Sequence, residues 1–387
     1  MTYSNYLTIC CGVALSLISC NRNNDSIIRQ DAQRVIDCNL DDAVQITNLS
    51  DVFDSIVLVP LDEKHLVGSI DKIRSDESGI YLSSDNILYA YDWSGQEIFC
   101  LNREGRAMSD YLEIGDFALS SKYVAIADPE SMKILLFDKS QGQYHKAISV
   151  DFFPEDIVFL DETTLAVNCG GADGFRLVIL DIEKEEAIDG YFNFDQIFTE
   201  PLLQPFASLN GTPLYRIPFY ADYYSFSKES GLKKAISFDF KAKNFNANDL
   251  KTVNVMGFNM LIDSQGNANI VNTYSVNSTF AINYKCQSVS EDSQYLLLVD
   301  TLNHTKYLLD SETCHDDILF YDHVFLPLFY DSNGNGFISV LYPNLWASTF
   351  DSIDEERKNT VNYPRALSLF SKISKTENHS IMIYELK

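Results

Sequence analysis

The six histidines, His65, His145, His304, His315, His323 and His379, form no HxH, HExxH or HxxxH spacing, so no helix or strand presents a ready metal pair. Cys314-His315-Asp316-Asp317 is the densest ligand-like run. Neighbours on a strand point to opposite faces, so a polar loop explains it better than a metal centre. "DSNGNG" (331–336) imitates the start of a calcium loop, but its twelfth position is Tyr342, where a bidentate Glu is needed. Together with "DSQGN" (263–267) it reads as a tight turn between strands, with Asn and Gly taking left-handed angles. "CGGADG" (169–174) lies between two strand-like runs and lacks the helix that would hold a phosphate. No GxSxG elbow and no phosphate loop of the GxxxxGK[ST] type occurs. The 55 carboxylates follow no spacing that singles out an acid–base pair. These residues predict no catalytic set, no metal and no cofactor.

Arginine and tyrosine offer a different chemistry. "NREGRAMSDY" carries Arg103, Arg106 and Tyr111, and "PLYRIPFYADYY" carries Tyr215, Arg216, Phe219, Tyr220, Tyr223 and Tyr224. In loops at a binding mouth such side chains stack on sugar rings or pair with acidic groups. Arg103, Arg106, Tyr111, Tyr215, Arg216, Tyr220 and Tyr223 are therefore the candidate ligand contacts. The competing reading is strand-face packing of alternating aromatics. Arg216 needs a specific partner in either case, since it sits in an apolar segment.

A repeat must position these residues. "IDKIRSDESGIYLSSDNILYAYDWSGQEIFCLN" is four short strand-like runs separated by polar turns. It recurs at "IGDFALSSKYVAIADPESMKILLFDKSQGQYHKAISV" and again at "PEDIVFLDETTLAVNCGGADGFRLVILDIEKEEAIDGYF". Tyr91, Phe137 and Leu180, each followed by Asp, step by 46 and 43 residues, and Ile80, Val124 and Leu165 step by 44 and 41. Four strands in roughly 40–50 residues predict a β-propeller blade, which can cover both faces only by stacking in a closed ring. The rest of the chain supplies three more blades, so the reading is an all-β, six-bladed propeller of four-stranded antiparallel blades. The strand "DSIVLVPLD" has no partners in the first repeat and is expected to close the last blade. Residues 352–375 read as a helix–loop–helix excursion.

The N-terminus predicts an address. Leu7 to Ile18 is almost wholly apolar or small, long enough for a signal core and too short to span a bilayer. Leu17-Ile18-Ser19-Cys20 looks like a bacterial lipobox, and the polar "NRNNDSIIRQDAQR" follows it. The expected division is a signal peptide over 1–19, a lipidated Cys20 with a polar tether over 20–50, and the propeller over 51–387. The formal charge of −26 excludes nucleic acid as a partner and argues against a basic membrane patch, so any membrane contact comes through the lipid. Beyond Cys10, Cys11 and Cys20, the five cysteines Cys38, Cys100, Cys169, Cys286 and Cys314 show no CxxC spacing and predict no disulfide framework.

With the lipobox at Cys20, the opening "IVLVPLDEKHLVGSIDKIRSDESGIYLSS", the segment "LNREGRAMSDYLEIGDFAL" and the closing "ENHSIMIYELK", the chain resembles the six-bladed β-propeller lipoproteins of Bacteroidetes, relatives of NHL-repeat propellers. In that family the second segment carries a Gly-Gln-Gly-Pro-Gly-Glu-Tyr loop. Here only Gly105, Asp110 in place of Glu, and Tyr111 match. The resemblance implies an exported protein, lipid-anchored at the outer membrane, and assigns no shared catalytic set. Three readings follow. The first is a non-enzymatic propeller that binds a glycan, peptide or envelope protein at a mouth of its central channel. The second is a hydrolase or lyase, lactonase- or glycan-lyase-like, with a metal on the axis. The third is a scaffold for an envelope complex.

Overall fold

A computed structural model describes residues 31–170, 174–193, 204–209, 211–217, 220–244, 267–288, 291–310, 313–321 and 329–387. Cys20, the leader, Phe219 and most of the 263–267 turn lie outside these residues.

Three N-terminal strands come first: β1 (Arg34–Asp37), β2 (Val44–Ile46) and β3 (Phe53–Pro60). Blade 1 is β4 (Ile70–Asp76), β5 (Gly79–Ser84), β6 (Ile87–Tyr91) and β7 (Glu97–Leu101). Blade 2 is β8 (Asp116–Leu119), β9 (Tyr123–Asp128), β10 (Lys133–Asp138) and β11 (Tyr144–Ser149). Blade 3 is β12 (Phe153–Asp161), β13 (Thr164–Gly170), β14 (Phe175–Asp181) and β15 (Glu186–Asn193). Blade 4 is β16 (Phe206–Leu209), β17 (Thr212–Arg216), β18 (Asp222–Ser227) and β19 (Gly231–Asp239). Blade 5 is β20 (Ala268–Val276), β21 (Thr279–Ser288), β22 (Glu291–Asp300) and β23 (Thr305–Asp310). Blade 6 is β24 (Asp331–Ser332), β25 (Phe337–Leu341) and β26 (Ser380–Leu386), completed by β3. This is the six-bladed propeller that the repeat predicts.

Each blade is a meander from an inner strand to an outer one, and its middle strands are buried on both faces. β5, β9, β13 and β25 therefore read as nearly unbroken apolar or small runs. Ile80, Val124 and Leu165, the register marks of the repeat, are fully buried. The ring closes where β3 pairs antiparallel with β26, from Ser380↔Pro60 to Leu386↔Phe53, as expected for "DSIVLVPLD". This closure places β3 and the last strand, β26, in one sheet, so the ring has no open seam between blades 6 and 1.

The N-terminal boundary is different from the one composition predicts. Residues 34–46, assigned to a free tether, add a fifth strand to each of two blades. β1 pairs parallel with β19, and β2 pairs parallel with β23. The reason is one apolar anchor per strand. Ile36 and Ile46 are buried, whereas Val35 and Val44 face outward and are more than half exposed. Strands of four and three residues with a single anchor carry no period-2 signal, so they look polar.

Between β25 and β26 the chain leaves the blade for three helices, α1 (Pro343–Phe350), α2 (Glu355–Lys358) and α3 (Tyr363–Ile373). Asp354 caps α2 by accepting from Arg357 N at 2.8 Å. Phe350 stacks on Phe370 with ring centroids 4.2 Å apart, and Trp346 donates its indole N–H to Leu319 O at 3.0 Å. The excursion predicted over 352–375 is thus a packed lid on the loops between blades 5 and 6.

Because Ile46 is 4 % exposed and Val44 is 55 % exposed, Ile46→Ala should cost about 2–4 kcal/mol in urea unfolding and Val44→Ala less than about 0.5 kcal/mol. Equal effects would mean that β2 does not dock.

Candidate functional site at the entry face

In every blade the inner strand starts on one face of the ring, here termed the entry face. The connectors into those strands and the turns between second and third strands lie on this face. Near the start of three inner strands the register slips by one residue: between Ile70 and Lys72, Pro154 and Asp156, and Ile270 and Asn272. The extra residues are Asp71, Glu155 and Val271. A bulge re-aims side chains around it, and here it separates a group at the face from the next one, which enters the axis.

Lys72 is such an entering group. Its ammonium lies 2.8 Å from Asp156 Oδ1 and 3.3 Å from Asp116 Oδ1, so one side chain ties blades 1, 2 and 3. Arg74, two residues on, donates from Nη2 to Asp116 Oδ2 at 3.0 Å and from Nε to Phe117 O at 3.2 Å. Asp116 Oδ2 also accepts from Ile157 N at 3.0 Å. Burial works to raise the Asp116 pKa, but Arg74, Lys72 and the backbone donors outweigh it and hold the carboxyl below its ordinary value. Asp156 goes the other way. Burial raises it, and its main cation, Lys72, is shared with Asp116. Asp156 Oδ2 accepts from Asn168 Nδ2 at 3.2 Å, and Asn168 Oδ1 accepts from Tyr215 OH at 3.2 Å, which extends the network into blade 4.

Two further seams use the same device. Arg216 donates to Ile270 O at 2.8 Å and Val271 O at 2.6 Å, across the blade 4–5 boundary. Tyr223 OH reaches Thr273 Oγ1 at 2.9 Å over the same boundary. Ser75 Oγ donates to Asp331 Oδ2 at 2.7 Å and joins blade 1 to blade 6. Burial pushes the Asp331 carboxyl up to about 6, against the pull of Ser75 and Arg74.

Above the Lys72 ammonium a cleft of about 500 Å³ opens on the entry face between blades 1 and 2. Its walls include Asp71, Ser83, Asn86, Glu113 and Glu130. Local sequence explains the wall positions. Asp85 and Asn86 have φ of 50° and 64°, the two left-handed residues of a tight hairpin turn. Asn86 then accepts from Ile114 N at 2.8 Å and donates to Leu112 O at 3.1 Å. Buried Asp128 accepts from Leu112 N at 3.0 Å and Glu113 N at 3.3 Å. The loop carrying Glu113 is therefore pinned from both blades. Asp71, Glu113 and Glu130 have no ion-pair partner among the described residues, and the one cation at the floor, Lys72, is already engaged. Burial, then the nearby Asp85 carboxylate, raises the Asp71 pKa.

The residues singled out in the sequence fall into two groups. Arg103 and Arg106 are exposed, on the outer limb of the loop whose inner end, Leu112–Gly115, lines the cleft. Tyr111 is buried and donates to Leu101 O at 2.6 Å, so it fastens this loop to β7. Tyr215, Arg216, Tyr220, Tyr223 and Tyr224 are all buried in blade 4 or at its seams. In these positions they pack and clamp. Lys72, Arg74, Asp116 and Asp156 were missed, because in a chain with 55 carboxylates only the repeat register marks them. Lys72, Asp116 and Asp156 lie in the first half of an inner strand, and that shared phase is the signal that could have found them. Among the described residues no group of three or more His, Cys, Asp or Glu is placed to hold a metal. Cys38, Cys100, Cys169, Cys286 and Cys314 are free thiols.

Blades of this construction around a side-chain-filled axis define a six-bladed β-propeller. Residues 33–385 match the family described as domain of unknown function DUF4934, and the chain belongs to that family. Its structure is similar to that of a Bacteroides fragilis NCTC 9343 protein described as exported, with a TM-score of 0.70 and 17% identity over 91% of this chain and 99% of that one. It is also similar to a DUF4221 family member from Bacteroides vulgatus, with a TM-score of 0.49 and 11% identity over 87% of this chain and 97% of that one. No curated protein sequence matches the chain. At these identities the likeness concerns the fold. No helix among the described residues is long and apolar enough to cross a membrane.

Asp116→Ala removes the fully buried carboxylate that Arg74 and Lys72 share and leaves Lys72 only Asp156, so it should destabilise the fold by about 3 kcal/mol in chemical unfolding. Asp331 behaves oppositely. Its folded pKa lies above the unfolded value, so the fold holds the proton longer and stability falls as pH rises from about 4 to about 6. Asp331→Asn should abolish that fall and raise the melting temperature at pH 7. A lower melting temperature at pH 7 would contradict the assignment.

Proposed function

We propose that the chain is a non-enzymatic, lipid-anchored propeller of the cell envelope that binds a peptide or protein partner at the entry-face mouth. The observation that carries this reading is the cleft of about 500 Å³ above an axis whose acids are already committed. Asp116 is ionised and shared between two cations, and Asp156 lies against Lys72. A general acid or nucleophile needs a group free to give up or accept a proton. The cleft walls, by contrast, offer Glu113 and Glu130 without an ion-pair partner among the described residues, on a loop frame fixed by Asn86 and Asp128.

The anchor reading places Cys20 at the lipidated terminus of an exported protein at the outer membrane, as in the lipoproteins the chain resembles. The strand directions support a definite geometry. β1 runs parallel to β19, and β19 ends on the entry face, so Arg34 lies toward the opposite face. The eleven residues from Cys20 to Asp31 reach at most about 40 Å. In this reading the anchor lies on the side where β1 starts, and the cleft looks outward. Arg103 and Arg106 remain candidate contacts at the edge of that outward face.

Two measurements test the proposal. Wild-type protein should partition with membranes and Cys20→Ala should be released to the soluble fraction; a soluble wild type overturns the anchor. Purified protein should turn over neither aryl lactones nor acidic glycans. Turnover that Asp156→Asn abolishes would establish the hydrolase or lyase reading instead.

A further inference from the structure

The entry face is unlike the rest of the surface. Among the described residues fourteen large apolar side chains are exposed. Eight of them, including Leu66, Met108, Met132, Phe153, Phe175 and Val361, lie in connectors, turns or strand starts of the entry face, or in the helical lid that rises from it. Only Leu302 lies in a turn of the opposite face, and the others are on outer strands. The turns of the two faces are equally in need of polar residues, so this asymmetry is not a property of turns. Exposed apolar side chains gathered on one face mark an interaction surface.

Their placement relative to charge is specific. Met132 shares its turn with Glu130, and Met108 shares its loop with Glu113. Methionine is flexible and polarizable and adapts to varied apolar partners. We infer that the entry face docks a partner-protein segment carrying lysine or arginine beside apolar residues, with its cation in the cleft of Asp71, Glu113 and Glu130. Complementarity selects this occupant. The cleft holds three carboxylates without an ion-pair partner among the described residues, and exposed Met132 lies two residues from Glu130 in the same turn. An anionic glycan would be repelled, and a neutral one would leave the methionines uncovered. Exposed Arg103 and Arg106, farther out on the same loop, then meet acidic groups of the partner and orient it. The inference rests on the reading of the mouth as the binding face and names what that face takes.

The test uses the full-length protein in detergent at about 0.15 M salt, where long-range attraction to a polyanion is screened beyond ~8 Å. A labelled lysine–leucine peptide is compared with a lysine–glycine peptide of equal charge and a glutamate–leucine peptide. The lysine–leucine peptide should bind at least about tenfold more tightly than either. The double substitution Glu113→Gln with Glu130→Gln should weaken it about tenfold, Met132→Ser about threefold, and Leu302→Ser not at all. Glu113, Glu130 and Met132 are exposed, so these variants keep the fold. Equal binding of the two lysine peptides overturns the inference, since net charge alone would then explain it. A photo-crosslinking residue in cells separates the two levels. An adduct at position 132 with a basic, apolar segment supports both. An adduct there with a glycan or an acidic segment overturns the inference and leaves the mouth reading standing, and adducts only at position 302 overturn both.

Discussion

Asp116 is the residue on which the architecture turns. Six wedge-shaped sheets meet at one line, and their inner strands expose backbone and side chains to a space too narrow for a seventh sheet. An aliphatic filling would leave the unpaired edge groups of those strands without partners, at a cost of one to several kcal/mol for each buried donor or acceptor. Asp116 resolves this locally: it takes Arg74 and Lys72 from blade 1 and Ile157 N from blade 3. One buried carboxylate thus fixes the mutual height of three blades. A buried ion pair is weak evidence for stability but a good device for register, and register is what stacked, near-identical blades most lack.

The same clamp limits what the axis can do. A carboxylate held below its ordinary pKa between two cations is a poor general acid, and its cations are already engaged by Asp116 and Asp156. Asp156 and Asp331 are raised by burial, yet each is already hydrogen-bonded by a neighbouring blade. Chemistry at the axis would have to break the contacts that hold the blades in phase. The entry-face walls carry no such duty. Asn86 and Asp128 use their side chains to fix the loop backbone, which leaves the carboxylates of Glu113 and Glu130 free of structural work.

Why the blades were legible and the site was not follows from where the information sits. Blade strands repeat a phase, as Ile80, Val124 and Leu165 do, and burial on both faces enforces it. The closing strand β3 was legible because eight residues carry a clear apolar run without local partners. β1 and β2 were not, because one isoleucine each does the docking. Arg216 was correctly marked as needing a partner, but composition cannot say whether that partner is a ligand or the carbonyls of Ile270 and Val271. The tyrosines of blade 4 posed the same ambiguity, and the hydroxyls of Tyr215 and Tyr223 end on Asn168 and Thr273. A side chain's type announces its need, and only the fold decides who meets it.

The N-terminal strands connect these matters. β1, β2 and β3 dock in chain order on blades 4, 5 and 6, with Ile36, Ile46 and Ile56 buried ten residues apart. The step matches one blade each time, so the segment is wound around the outside of the ring. Winding in this sense requires parallel pairing on blades 4 and 5, because β19 and β23 both run toward the entry face. The first described strand, β1, therefore starts toward the opposite face. Strand direction, set by ring closure, therefore determines on which face the N-terminal strands start. A charge of −26 makes the body of the protein repel other polyanions, and the exposed Met108, Met132, Phe153 and Phe175 lie on the entry face, away from the start of β1.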